Sequence, residues 1–83
     1  MNYFVYILEC ADRTLYTGTT NDLEKRILSH NTSKTGAKYT RGRRPVILKY
    51  FEDCGSKGNA LKRECELKKL KRIQKYNLIK TRY

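Results

Sequence analysis

Apolar and polar positions divide the chain into five pieces. Tyr3 to Glu9 (YFVYILE) is β-branched and aromatic, and apolar on both alternating faces, the pattern of a strand covered on both sides. Cys10 to Arg13 reads as a turn, and Thr14 to Thr20 (TLYTGTT) as a second strand, so a hairpin is predicted. Asn21 is placed to cap a helix, with Glu24 as its capping-box partner, and the helix runs to about His30. Asn31 to Arg44 reads as a basic loop. Val46 to Glu52 is a third strand whose start is set by Pro45, which cannot donate to a ladder. After a turn region at Asp53 to Gly58, a long basic helix is predicted from Asn59 to about Ile73, and Tyr76 to Tyr83 continues as a further helical turn or a frayed tail. The order β-β-α-β-α predicts an α/β fold of the layered α+β kind, with a three-stranded antiparallel sheet flanked by helices.

Within these elements some polar side chains fall on faces that should be apolar. Arg26 and His30 are spaced i, i+4 and share a face that borders the Leu23/Ile27 stripe. Either one alone is explained by a snorkelling arginine or a partly buried surface histidine; the pair aims two cation-capable groups towards the sheet. In the second helix the apolar arc runs from Cys65 through Leu61 to Ala60 and Leu67; Glu64 falls inside the arc and Glu66 outside it. Glu64 is read either as half of an ion pair with a neighbouring Lys or Arg, or as a carboxylate held for a divalent cation such as Mg²⁺, which takes oxygen ligands and keeps several waters. Tyr6 and Tyr16 sit symmetrically about Ala11. A register pairing positions that sum to 22 sets them opposite each other on one face, whereas a slip of one residue would send them to opposite faces. Their alternative is a core aromatic with a bonded hydroxyl. Gly18, of the same parity as Tyr16, suggests a close approach or a bulge.

Composition narrows the partner. Eighty-three residues make one domain, spanning 1–83, and no stretch nears the ~20 apolar residues of a membrane span. Met1 to Leu8 carries no basic residue and no cleavage site follows it, so it reads as structure and not as a signal peptide. Nineteen Lys+Arg against eight Asp+Glu give +11. Residues 1–33 hold three basic and four acidic side chains, 34–56 six and two, and 57–83 ten and two, so the polyanion should meet the later two thirds. Lys34, Lys38, Tyr39, Arg41, Arg43 and Arg44 form a basic stretch with one aromatic, suited to phosphate contacts and stacking on an unpaired base; general solubility and packing over the third strand are the plainer explanations. Three cysteines without a CxxC pair read as reduced, mostly buried thiols of a cytoplasmic protein.

Phe4-Val5-Tyr6 and then Tyr16-Thr17-Gly18, followed by Arg26, His30 and Ala60-Leu61-Lys62-Arg63-Glu64 in that order, resemble the GIY-YIG nuclease superfamily. The run Gly36 to Val46 further resembles its small single-domain bacterial branch. Phe4 replaces the first glycine of the motif and Thr17 stands at the middle of its second half. The resemblance implies a metal-dependent endonuclease acting on DNA, directed by structure more than by sequence, with a protein partner as another source of targeting. It implies Tyr6 and Tyr16 beside the attacking water, one of them or His30 as proton acceptor, Arg26 on the phosphate, and Glu64 holding one Mg²⁺ or Mn²⁺. An unperturbed phenol is a poor base at neutral pH, so a tyrosine base would need the metal or Arg26 to lower its pKa. The rival reading is a catalytically weak DNA- or RNA-binding module on the same fold.

Overall fold

A computed structural model describes residues 2–32 and 42–82. β1 (Tyr3–Glu9), β2 (Leu15–Thr20) and β3 (Ile47–Gly55) form one antiparallel sheet in the order β2-β1-β3. α1 (Leu23–Thr32) follows β2, and α2 (Lys57–Lys68) and α3 (Arg72–Arg82) follow β3.

The first strand is therefore the middle one, which is why YFVYILE is apolar on both faces. Val5 and Ile7 turn to one side, where Tyr50 of β3, Leu67 of α2, Leu70 of the α2–α3 link and Leu78 and Ile79 of α3 meet them. Tyr6 and Leu8 turn to the other, where Leu23 and Ile27 of α1 pack with Val46 and Leu48. β3 keeps this alternation through an irregularity opposite Ile7/Leu8, which brings Leu48 onto Leu8 and Tyr50 onto Ile7. It also runs three residues past the predicted Glu52, pairing Asp53 with Phe4 and Gly55 with Tyr3.

Three local readings change. The cap of α1 is Asp22 and not Asn21: Asp22 Oδ1 accepts the Lys25 N–H at 3.1 Å, the N-cap to N3 bond. The long basic helix is two helices. α2 is capped by Ser56, whose Oγ accepts the Asn59 N–H at 3.1 Å, and ends at Lys68. α3 restarts behind Lys71, whose N–H is taken by the Gln74 side chain at 2.8 Å, the return half of a capping box. The apolar arc of α2 is narrower than predicted. Leu61 is exposed and the buried seam is Ala60 and Leu67, spaced i, i+7. Glu64 lies between them at i+4, so the acid occupies the buried stripe itself. Of the cysteines, Cys10 is buried, Cys54 half-buried and Cys65 exposed; all three are free.

Two polar devices fix the helices to the sheet. On α2, the Arg63 guanidinium forks onto the Glu52 carboxylate of β3 (Nε–Oε1 3.0 Å, Nη2–Oε2 3.0 Å), and Tyr50 donates to the same carboxylate. On α3, the Tyr76 hydroxyl donates to Glu9 Oε2 at 2.7 Å and Arg72 donates to the Arg13 carbonyl at 2.8 Å, which pins the helix to the β1–β2 hairpin. Among the described residues no helix is long and apolar enough to cross a membrane.

Candidate active site

The β1–β2 register pairs Tyr6 with Gly18 and Leu8 with Tyr16, positions summing to 24. The two tyrosines are thus diagonal neighbours and not directly opposite. The offset from the expected register is two residues, an even number, so both still point to the α1 face. The centre of the hairpin is Asp12 and not Ala11. Asp12 Oδ1 accepts from the Thr14 hydroxyl and N–H, and Arg13 takes a positive φ of 69°, which lengthens the loop.

Gly18 explains why the diagonal is tight. A β-carbon there would lie 2.5 Å from the Tyr6 hydroxyl and 3.2 Å from Tyr16 Cε1, so the absence of a side chain is what lets the Tyr6 ring lie across β2. Tyr6 is 1% exposed and cannot swing away freely. Gly18→Ala is expected to destabilise the fold by about 1–3 kcal/mol and to displace the Tyr6 hydroxyl from its partner. Urea unfolding measures the first effect; a shifted His30 imidazole resonance reports the second. An alanine variant as stable as the parent with an unmoved imidazole would show that the ring does not lie there.

That partner is His30. The Tyr6 hydroxyl lies 2.9 Å from His30 Nε2, and the imidazole packs edge-on against both tyrosines, with ring centroids 6.0 Å from Tyr6 and 5.3 Å from Tyr16. The tyrosine rings are themselves 6.5 Å apart. His30 is completely buried. Burial, and then the positive charges of Arg26 and Arg44, push its pKa down to about 4, so it is neutral at pH 7. Burial pushes the Tyr6 phenol up to about 12, against the opposing hydrogen bond from Arg26. Arg26 thus acts in the direction the sequence suggested, but desolvation outweighs it and the phenol stays protonated. The neutral imidazole places its ring proton on Nδ1 when the Tyr6 O–H donates to Nε2, and on Nε2 when the phenolic oxygen accepts.

Arg26, on α1, is half-buried beside this pair. Among the described residues its guanidinium faces no carboxylate within ion-pair distance; the ion pairs there join Arg43 to Asp12, Arg63 to Glu52 and Glu66, and Lys68 to Glu64. Glu64 reaches the group from elsewhere. α2 packs on the Val5/Ile7 side but touches all three strands, β2 included. The Glu64 side chain is 19% exposed, and its charge is the last and smallest of the influences that raise the Tyr6 phenol. Its Oε2 lies 3.5 Å from the ammonium of the exposed Lys68, so the ion pair weighed for it is present. No cluster of three His, Cys, Asp or Glu side chains suited to a metal occurs among the described residues. A lone carboxylate still fits Mg²⁺, which keeps most of its waters.

The segment before β3 is tied to the same place. Arg44 Nε donates to the His30 carbonyl at 2.5 Å, and the Asn31 amide both donates to the Val46 carbonyl (3.1 Å) and accepts its N–H (2.7 Å). Arg43 pairs with Asp12 at 2.9 Å. Both arginines expected on the nucleic-acid surface therefore also hold the domain together. Lys34, Lys38, Tyr39 and Arg41 lie outside the described residues. The roles of Asn31 and Arg44 had no signal in the sequence, because each depends on a contact made across at least fourteen positions.

The whole arrangement can be set beside known proteins. The GIY-YIG catalytic domain model matches residues 2–77. The chain belongs to the GIY-YIG family. Membership places it in a nuclease family. Its relatives include UPF0213 proteins, among them one from Clostridium perfringens, 58% identical over 82 residues (99% of this chain, 86% of the relative). Another, from Syntrophus aciditrophicus, is 54% identical over 77 residues (93% and 88%). The small single-domain branch is not confined to bacteria: a UPF0213 protein of Halobacterium salinarum is 49% identical over 73 residues (88% and 94%). The solution NMR structure of a UPF0213 protein from Bacillus halodurans superposes with a TM-score of 0.62 at 47% identity, covering 98% of this chain and 85% of that one. The α+β arrangement matches in that structure.

Proposed function

We propose that the domain hydrolyses phosphodiester bonds in DNA with the help of one divalent cation, at sites chosen by structure more than by sequence. The observation that carries this reading is the half-buried Arg26 guanidinium, without a carboxylate partner among the described residues, beside the Tyr6–His30 hydrogen bond. A cation removed from water without a counter-ion favours an anion, and one next to a proton-transfer pair suits a phosphate under attack.

In this reading Arg26 binds the scissile phosphate and takes up its developing charge. Tyr6 and Tyr16 orient the water. The Tyr6 phenol passes a proton to His30 Nε2 as it receives one from the water. Burial first, and then Arg26 and Arg44, hold His30 a weak base; the negative charge of a bound phosphate offsets the two arginines and raises its pKa from that low value. Glu64 is the residue that would hold Mg²⁺ or Mn²⁺, which supplies Lewis-acid stabilisation of the leaving oxygen.

Wild-type protein is expected to nick supercoiled plasmid and branched DNA in Mg²⁺ or Mn²⁺ and not in EDTA. Glu64→Ala is expected to lose that activity by about a hundredfold or more, while circular dichroism shows it folded. The Glu64–Lys68 ion pair favours the second reading, a binding module on the same fold, since the acid already has a counter-charge. DNA binding without nicking under every metal condition establishes the module, and preferential salt-dependent retention of RNA redirects the substrate.

A further inference from the structure

Where β2 runs into α1 an open cavity of about 230 Å³ is lined by Thr20, Asn21, Asp22, Lys25, Arg26 and Ser29. Neither tyrosine, His30 nor Glu64 lines it. Arg26 alone belongs both to this cavity and to the group around Tyr6.

The charged groups of the lining are one acid and two cations. Thr20 Oγ1 accepts the Asp22 N–H at 3.1 Å and donates to the Asp22 carbonyl at 3.2 Å, while the Asp22 carboxylate accepts the Lys25 N–H. The turn is thus braced by its own side chains, and its single acid is committed to the helix backbone. The charges left over are two successive cations, Lys25 and Arg26. Among the described residues neither is within ion-pair distance of a carboxylate. A concavity braced in this way and carrying two successive cations selects an anion with several acceptor oxygens. Its volume is below the ~300–1,000 Å³ that takes a whole drug-sized ligand; it suits a phosphate and its adjoining sugar, not a base pair.

We propose that this cavity is a second phosphate subsite, seating the phosphate next to the scissile one on the same strand, with Lys25 as its dedicated cation. The inference rests on Arg26 meeting the scissile phosphate. Arg26 then stands between two successive phosphates, and the strand is fixed in direction as well as position. Lys25 makes no contact with the reacting atoms; it is a binding residue.

The test reads binding and not turnover. The probes are the dinucleotides TpT and pTpT, which differ by one phosphate, titrated in EDTA against ¹⁵N-labelled protein. The additional phosphate is expected to tighten binding to wild-type protein by about fivefold to tenfold, with amide shifts centred on Lys25, Arg26 and Ser29. Lys25→Gln is expected to bind TpT as wild type does and to lose that gain; Lys25 is exposed, so the variant folds. An equal gain in both proteins, no gain in wild type, or shifts centred elsewhere overturns the subsite. Plasmid nicking retained with the gain absent sinks the subsite alone. A gain lost in Lys25→Gln together with no nicking in any metal sinks the nuclease reading and leaves the cavity as a binding site.

Discussion

Replacing Arg26 by alanine is expected to lower metal-dependent nicking by about 10²–10³-fold, the usual effect of deleting one group that stabilises charge in a transition state. Arg26→Lys is expected to restore little of it. A lysine carries the charge but not the planar fork that can meet a phosphate and the Tyr6 oxygen together. A rate alone does not separate a lost contact from a disturbed site, so the second readout is electrostatic. The chain has a single histidine, and one imidazole signal therefore follows the site through a pH titration. Arg26 is, after burial, the largest influence holding His30 down. Removing it is expected to raise the His30 pKa above its wild-type value of about 4 while burial keeps it below 6.5. A nicking rate within a few-fold of wild type overturns Arg26 as the phosphate ligand; an unmoved His30 titration overturns the geometry that sets the two side by side.

Acidification is expected to destabilise the domain, by about 3 kcal/mol between pH 6.5 and pH 4. An unfolded chain protonates its histidine near 6.5, whereas the folded chain holds His30 neutral until about 4. Across that window the unfolded state binds more protons, so stability rises with pH and is lost as pH falls. A domain of 83 residues has only several kcal/mol in hand, and a loss of this size is a large part of it. Urea unfolding at pH 7 and pH 4.5 is expected to show the drop, and His30→Gln, which keeps a hydrogen-bonding group near Tyr6, is expected to flatten it. Parallel curves for the two proteins would mean that His30 protonates freely in the folded state.

The parts of this fold that the sequence made legible are those set by alternation. β1 could be read as a strand covered on both faces because every one of its core positions is apolar, and the structure buries Val5, Tyr6, Ile7 and Leu8 together. The hairpin register was harder. It is set by the Asp12–Thr14 bonds and the positive φ of Arg13, which the hydrophobic pattern does not encode. That Tyr6 and Tyr16 still share a face follows from their common parity with Gly18. The apolar arc of α2 proved narrower than its sequence suggests: Ala60 and Leu67 are buried as expected while Leu61 and Cys65 on its other side are exposed, because an exposed leucine and a buried one look alike in a short basic helix. Glu64 was nevertheless placed on the buried side, since it lies within one turn of all four. The break at Lys69 to Lys71 was hidden because the stretch Lys68 to Lys71 holds only good helix formers; only Gln74 behind Lys71 marked it. The cavity between Thr20 and Ser29 depends on the turn between β2 and α1 and had no periodic signature at all.

The central position of the first strand has a consequence for how the chain can be divided. Through Thr32 a nascent polypeptide owns β1, β2 and α1, a two-stranded ribbon of the kind that rarely persists alone in water, with Val5 and Ile7 still unshielded. The missing edge strand and the two helices that cover Val5 and Ile7 all arrive after Gly42. A scission between Thr32 and Gly42 is accordingly expected to leave each fragment without the surface that covers its apolar face. Tyr6, Tyr16, Arg26 and His30 travel with one and Glu64 with the other.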